Sequence, residues 1–168
     1  MVTLRCTQKL LRRLSEPVTE NNEQPTTLLG DWYANILFSK PQQLVLCISE
    51  RTLLPVVIPA KDIQTLSDRL VVAVHEVLTA IGVDPQFAGK ERTEMQDLRC
   101  GRTNNKRILG SLIDLMFHLE YYLHAEPADS LPQLSLHLST IICKPLSYNS
   151  PKDVTLELFA SGIANKIH

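Results

Sequence analysis

Several hydrophobic runs in the first half of the chain are short and closely spaced. The runs at 32–39, 44–49 and 53–60 are rich in Val, Ile, Leu and aromatic residues, with tight-turn lengths between them. This pattern is typical of a meander of antiparallel strands. Pro55 and Pro59 lack the N–H that a central strand needs, so we expect the third run at an edge of the sheet.

Apolar residues elsewhere recur three or four positions apart, which is the period of amphipathic helices. The pattern predicts helices at about 62–82, 105–124, 132–142 and 151–160. Alternating leucines leave a strand open as an alternative at 132–142, and residues 92–98 could be a fourth strand or irregular chain. The predicted fold is α+β: an antiparallel three- to four-stranded sheet, with its meander at 32–60, packed against these helices.

Two further features precede this sheet. Residues 2–6 have the composition of a short strand. Residues 15–29 contain Pro17, Pro25 and a middle rich in Glu, Asn, Gln and Thr, which predicts a surface loop. A loop of this length is unusual in a compact domain and often has a function. No internal repeat interrupts the pattern, so residues 1–168 are predicted to form a single domain.

Composition and charge narrow the classes of protein. Of the 168 residues, 44% are hydrophobic and 21% are charged, which argues against disorder. A net charge of −1 excludes a globally basic protein, so any anion-binding surface must be a local patch. The start of the chain does not resemble a signal peptide, and no window is apolar enough to span a bilayer. We therefore expect a soluble, cytoplasmic domain with no membrane partner and with reduced cysteines.

A basic, amide-rich segment at the predicted start of the long helix is the first candidate site. Cations at a helix N-terminus oppose the macrodipole by ~0.3–1 kcal/mol each, so they cost stability unless an anion offsets them. Such a segment could bind phosphate or carboxylate. The ordinary alternative is that Lys106 and Arg107 pair with nearby acids such as Glu91, Glu94 or Asp97. The candidate residues are Arg99, Arg102, Asn104, Asn105, Lys106 and Arg107.

A second candidate segment begins where the long loop enters the first strand of the meander. Trp32 or Tyr33 could stack on a base, and Asp31 could act as an acid or base. Asn35 is a polar residue within an apolar run. The ordinary alternative is that Trp32 packs in the core and Asp31 caps a turn.

Established catalytic and metal-binding motifs do not occur in the sequence. The five histidines lack the spacing of a metal site, and the four cysteines are about forty residues apart. There is no phosphate-binding glycine loop and no serine nucleophile elbow. The sequence therefore predicts no metal site and no cofactor.

Four segments occur in an order that resembles a known family. They are LRCTQKL at 4–10, GDWYAN at 30–35, RTLLP at 51–55 and RTNNKRILGS at 102–111. Together they resemble a bacterial family of domains of unknown function that is associated with plasmid and other mobile-element reading frames. In the last segment, Lys106 between the asparagine and the arginine departs from the family pattern. The family has no established activity, so the resemblance implies a compact bacterial domain and transfers no catalytic residue.

Three hypotheses about function follow. The favoured one is a non-enzymatic binding protein that uses residues 99–107 to hold a nucleic-acid backbone or an acidic protein surface. The second is a small hydrolase or nuclease-like enzyme with Asp31 and Arg107 in one pocket. The third is a structural module for oligomerisation or partner docking through a second apolar stripe on the long helix. That stripe consists of Leu109, Ile113, Met116 and Phe117.

Overall fold

The computed structural model describes residues 1–20, 23–39, 42–125 and 130–167, with side chains described as far as residue 162. Its strands are β1 (Val2–Cys6), β2 (Trp32–Leu37), β3 (Leu44–Ser49), β4 (Pro55–Pro59) and β5 (Leu98–Arg102). Its α-helices are α1 (Gln8–Leu11), α2 (Leu66–Ile81), α3 (Pro85–Glu94), α4 (Lys106–Ala125), α5 (Leu131–Ser139) and α6 (Pro151–Ile167). Short 3₁₀ turns lie at Ile63–Thr65 and Lys144–Leu146.

The five strands form one mixed sheet in the order β4-β3-β2-β1-β5. Strands β2, β3 and β4 pair antiparallel, whereas β1 lies between β2 and β5 and is parallel to both. The predicted antiparallel sheet of three to four strands is therefore wrong. Parallel pairing needs a long crossover in place of a tight turn, and it leaves no local signature in the sequence. The predicted strand at residues 2–6 is confirmed as β1.

The helices also differ from the prediction in places. The uncertain window 92–98 contains the end of α3 and the first residue of β5. The window 132–142 is helical as far as Ser139, and the predicted helix at 151–160 continues to Ile167. Helix α3 was not predicted, because its sequence, PQFAGKERTE, has few apolar residues and no clear amphipathic period.

The sheet has two buried faces. Helices α1, α2, α3 and α6 cover the first face, where Trp32 and Leu4 are buried. Helices α4 and α5 cover the second face over β2, β3 and β4, where Tyr33, Leu46 and Val57 are buried. Paired residues of adjacent strands share a face, so Arg5, which is paired with Tyr33, also lies on the second face. Near Arg5, this face is lined by residues 23–25 of the chain that precedes β2.

Strand β4 is at an edge of the sheet, as its prolines predict. In an antiparallel ladder, the backbone N–H and C=O groups of every second residue point away from the neighbouring strand. In β4 these residues are Pro55, Val57 and Pro59. The two prolines have no N–H, and the Val57 N–H donates to Ser135 Oγ of α5 at 2.9 Å. The Pro59 carbonyl accepts from Arg69 at 2.7 Å. This edge therefore offers no free N–H to another strand.

The connection between α1 and β2 wraps around β5, at the other edge of the sheet. The Thr19 N–H donates to the Cys100 carbonyl at 2.8 Å, and the Thr19 carbonyl lies 3.3 Å from where a Cβ on Gly101 would be. The described parts of the predicted loop, 15–20 and 23–29, contain neither helix nor strand. Residues 21–22 of that prediction, and 40–41 of the predicted meander, fall outside the described residues.

Candidate functional site

A polar cavity of about 280 Å³ lies on the second face of the sheet. It forms where α4 begins and the connection to β2 crosses β1. Nearly all of its lining is polar, in contrast to the apolar core on both sides. The lining residues are Arg5, Glu23, Gln24, Pro25, Asp31, Tyr33, Glu50, Asn104 and Asn105.

A buried ion pair forms the floor of this cavity. Arg5 is 9% exposed and Asp31 is 6% exposed, and Arg5 Nε donates to Asp31 Oδ2 at 3.2 Å. The other carboxylate oxygen, Oδ1, accepts from the Thr3 N–H at 2.9 Å. Arg5 also donates through Nη1 to the carbonyl of Arg102 at 3.1 Å. The pair thus bonds β1 to β5 and to the start of β2, and both oxygens of Asp31 are occupied.

Glu50 lies against the backbone at the entrance to β2. Its carboxylate accepts from the Asp31 N–H, and its own N–H donates to the Asp31 carbonyl at 2.8 Å. Gly30 has φ +81°, and a Cβ there would lie 2.8 Å from Glu50 Cγ. Only glycine combines this conformation with so close an approach. The glycine therefore places the Glu50 carboxylate at the edge of the cavity.

Tyr33 joins the two segments that the sequence singles out. Its hydroxyl donates to Asn104 Oδ1 at 2.6 Å. Burial raises the pKa of Tyr33, the nearby Arg5 guanidinium opposes that shift, and Glu50 and Asp31 reinforce it. Because its ordinary pKa is already near 10, the phenol is neutral at neutral pH and acts as a hydrogen-bond donor.

A second pocket of about 220 Å³ adjoins the cavity and shares Glu50 and Asn105 with it. Arg51 and Arg107 also line it. Within the described part of the chain, the Arg107 side chain has no ion pair and no hydrogen bond. Arg51 Nη1 donates to two backbone carbonyls, at 3.0 and 3.1 Å. The remaining lining residues are Leu53, Ile108, Ser111, Pro145 and Leu146.

The start of α4 is capped by its own sequence. Asn105 Oδ1 accepts from the backbone N–H groups of Arg107 at 3.0 Å and Ile108 at 3.3 Å. This is the bonding pattern of an N-cap residue. Because these amides are already bonded, an anion in the second pocket would contact guanidinium groups and not the helix backbone.

The basic segment is divided among several environments. Asn104, Asn105 and Arg107 line the two pockets. Arg99 pairs with Asp97 at 3.3 Å in an exposed salt bridge. The other two predicted cations, Arg102 and Lys106, have exposed side chains and line neither pocket.

The acids proposed as ordinary partners of this segment have different roles. Asp97 bonds Arg99, and among the described residues neither Lys106 nor Arg107, the cations named in that alternative, forms an ion pair. Glu91 is 2% exposed and accepts from the N–H groups of Leu28 at 2.8 Å and Leu29 at 3.2 Å. Glu91 therefore holds the chain that leads into β2, and burial raises its pKa to about 6.

The second predicted segment is divided between the two faces of the sheet. Asp31 and Tyr33 line the cavity. Trp32 is 0% exposed in the core of the first face, so it cannot stack on a base. Asn35 lies two residues after Tyr33 in β2, and its Oδ1 accepts from the Thr7 hydroxyl at 2.6 Å. The structure thus has the core packing of Trp32 that the ordinary alternative predicts, but among the described residues the indole N–H has no hydrogen-bond partner. Asp31 accepts from Arg5 and from the Thr3 N–H and, within the described ranges, does not cap a turn.

Sequence reasoning missed Arg5, Glu50 and Arg51 as site residues. Arg5 had a signal, because it is the one charged residue within the short apolar run of β1. A buried strand seldom carries a charge without a partner. Glu50 and Arg51 lie in the turn after β3, and only the register of β3 on β2 brings that turn beside Asp31.

The described ranges contain neither a metal-binding cluster nor a membrane-spanning helix. No group of three His, Cys, Asp or Glu side chains there is arranged to hold a metal ion. No described helix is both long and apolar enough to cross a bilayer.

Comparison with known proteins gives a family and no activity. No curated protein matches the chain. The family described as a domain of unknown function (DUF6933) matches residues 3–154, which include every lining residue of both pockets. On this match the chain belongs to the DUF6933 family of domains of unknown function.

Proposed function

We propose that this protein binds an anionic partner through the pocket between Arg51 and Arg107. The observation that carries the proposal is that Arg51 and Arg107 line one pocket at the N-terminus of a 20-residue helix. Guanidinium groups bind phosphate and carboxylate with paired hydrogen bonds, and the helix dipole favours an anion at this end. The partner we infer is a nucleic-acid backbone or an acidic protein surface.

Glu50 also lines this pocket, and its carboxylate accepts a hydrogen bond from the Asp31 N–H. The rest of the lining supports an anion with a larger body attached. Leu53, Ile108 and Leu146 give the pocket an apolar wall. The adjoining cavity offers amide groups from Asn104 and Asn105. The pocket with Arg51 and Arg107 could then bind the charged group of a partner, and the adjoining cavity could bind a polar group of the same partner.

Hydrolysis is less well supported than binding. That hypothesis requires Asp31 and Arg107 in one pocket, and they line adjoining ones. Both oxygens of Asp31 are bonded, to Arg5 and to the Thr3 N–H. Neither oxygen of this carboxylate is therefore directed at a substrate in the cavity.

The cellular setting is part of the proposal. The resemblance in four segments points to bacterial proteins encoded on plasmids and other mobile elements, and we infer a cytoplasmic location. In that setting a basic pocket meets nucleic acid at high concentration, and non-specific affinity comes mainly from phosphate contacts.

The experiment is a binding titration with labelled mixed-sequence RNA, double-stranded DNA and polyglutamate, using wild type and the variant Arg107→Gln. We expect Arg107→Gln to weaken binding about tenfold, since one charge-assisted hydrogen bond contributes ~1.5 kcal/mol. If phosphate is bound, the log–log salt slope should also fall by about 0.7–0.9.

Arg99→Gln is the matched control. It removes the same charge from the same segment, at a side chain that lies outside both pockets. Unchanged binding by this variant assigns the effect to the pocket. Equal losses in the two variants, or no binding of any of the three probes by wild type, would contradict the proposal.

A further inference from the structure

Helix α4 has apolar residues on two opposite faces. Leu112, Leu115 and Leu119 are at most 2% exposed and pack toward the sheet. Ile113, Phe117 and Tyr121 are 43%, 66% and 69% exposed and follow one another at every fourth position. At about 100° per residue, the three leucines lie roughly 140–160° around the helix from Phe117. The exposed residues therefore point directly away from the core.

Two more residues extend this exposed line, which we call the α4 seam. The seam consists of Lys106, Gly110, Ile113, Phe117 and Tyr121, all within about 40° of the direction of Phe117. Each of the five is exposed in the monomer. Large apolar groups lined up in this way on a surface mark an interaction site more often than chance exposure does.

Gly110 would let a partner approach the helix closely at this point of the seam. A glycine inside a helix costs about 1 kcal/mol relative to alanine. Nothing in the described part of the chain requires it, because a Cβ at this position would have no atom of that part within 4 Å. The glycine leaves a shallow hole on the seam, one and two turns before the bulky Ile113 and Phe117. A partner side chain or backbone that approaches closely would account for it.

We propose that a second copy of this chain covers the α4 seam, with the two α4 helices antiparallel about a two-fold axis near Ile113. The order of the seam residues is self-complementary in this arrangement. Residue numbers that sum to 227 face each other, so Phe117 faces the partner's Gly110 and Tyr121 faces the partner's Lys106. Ile113 lies beside the partner's Ile113 at the axis.

Each of these pairings is physically favourable. Phe117 fills the hole that glycine leaves, as a knob fills a hole between packed helices. The Lys106 ammonium can lie over the ring of the partner's Tyr121, where a cation–π contact contributes ~0.5–1 kcal/mol. A two-fold axis makes every such contact twice, which is the usual geometry of homodimers. A parallel pair would instead set one Phe117 against the other and leave the two glycines facing each other.

The inference does not rest on the proposed anion site. Arg107 lies about 80° from Phe117 around the helix, at the margin of the seam, so its pocket remains open in the dimer. The two Arg107 residues would be roughly 20 Å apart along the helix direction, from a rise of about 1.5 Å per residue.

The first test is sedimentation velocity over a wide range of concentration, with wild type, Phe117→Asp, Gly110→Met and the control Val72→Asp. Val72 is 41% exposed on α2, a helix on the other face of the sheet. We expect a concentration-dependent dimer for wild type and Val72→Asp. Phe117→Asp and Gly110→Met should each weaken dimerisation at least about tenfold, as central interface residues do.

Gly110→Met separates loss of the dimer from loss of the fold. The side chain fills open space in the monomer and replaces a poor helix former, so the monomer should keep its circular dichroism spectrum. A wild type that sediments as a monomer at every concentration would overturn the inference. So would a Gly110→Met variant that dimerises as well as wild type.

The second test is disulfide crosslinking, which tests directly whether the two-fold axis lies near Ile113. Ile113→Cys should form a crosslinked dimer on mild oxidation, since the two positions meet at the axis. Val72→Cys is the control and should not, and both are made in a Cys143→Ser background because the other three cysteines are buried. Equal crosslinking of the two variants would rule out this axis.

Discussion

Glu91 should make the stability of the protein fall as the pH rises from about 4.5 to above 6. Burial raises its pKa from 4.5 to about 6, against the opposing effect of hydrogen bonds from Leu28 and Leu29 and of the charge on Arg51. A carboxyl with a raised pKa binds its proton more tightly when folded, so protonation favours folding. The stabilisation is complete below the unfolded pKa and is lost as the pH passes the folded pKa. The difference is about 1.5 pKa units, or ~2 kcal/mol.

The variant Glu91→Gln isolates this effect because it cannot ionise. Urea denaturation of both proteins at pH 5 and pH 8 gives four free energies of unfolding, and their double difference cancels the pH dependence of all other groups. Glutamine keeps one acceptor and puts an amide group against the second N–H, which should cost about 1–3 kcal/mol at both pH values. We expect wild type to lose ~1.3 kcal/mol more than the variant between the two pH values, because pH 5 is already above the unfolded pKa of 4.5 and part of the effect is lost there. Parallel pH profiles, or a larger loss in the variant, would refute the reasoning.

Two further substitutions test the contacts that hold the sheet together. Arg5→Ala should reduce the free energy of unfolding by about 3–5 kcal/mol, because it leaves the buried Asp31 carboxylate unpaired. Thermal denaturation against Arg99→Ala, which breaks only an exposed pair and should cost under about 1 kcal/mol, checks this. Ser135→Ala should cost about 1–3 kcal/mol, measured by urea denaturation, since it leaves the buried Val57 N–H without an acceptor.

The antiparallel part of the sheet could be predicted because its signals are local. Strands β2, β3 and β4 follow one another through short turns, and the prolines of β4 mark it as an edge. The pairing of β1 with β2 and β5 has no local signal. Leu4 pairs with Cys100, almost a hundred residues away, and this contact depends on how the helices pack. The mixed character of the sheet therefore appears only when the tertiary structure is known.

The candidate site was predictable to the extent that its residues lie at element junctions. Asp31, Asn104 and Asn105 stand out in the sequence as polar residues beside strand or helix ends. Arg5 and Glu50 also line the cavity, but only the register of β1 and β3 on β2 brings them beside Asp31. Strand pairing determines which side chains are neighbours. Alternation along β5 places Arg99 and Arg102 on opposite faces of the sheet. Lys106 and Arg107 are separated in a different way, by the turn of about 100° between successive residues of α4.

Arg51 connects the candidate site to the chain that closes it. Its Nη1 bonds the carbonyls of Thr27 and Leu28, and the N–H groups of Leu28 and Leu29 bond Glu91. A cation thus holds one side of this short backbone stretch, and a buried acid holds the other. Because Arg51 also faces the pocket with Arg107, an anion bound there must share its guanidinium with the two carbonyls. If the proposed anion binds there, we expect its binding, the position of this stretch and the charge on Glu91 to be coupled through this one side chain.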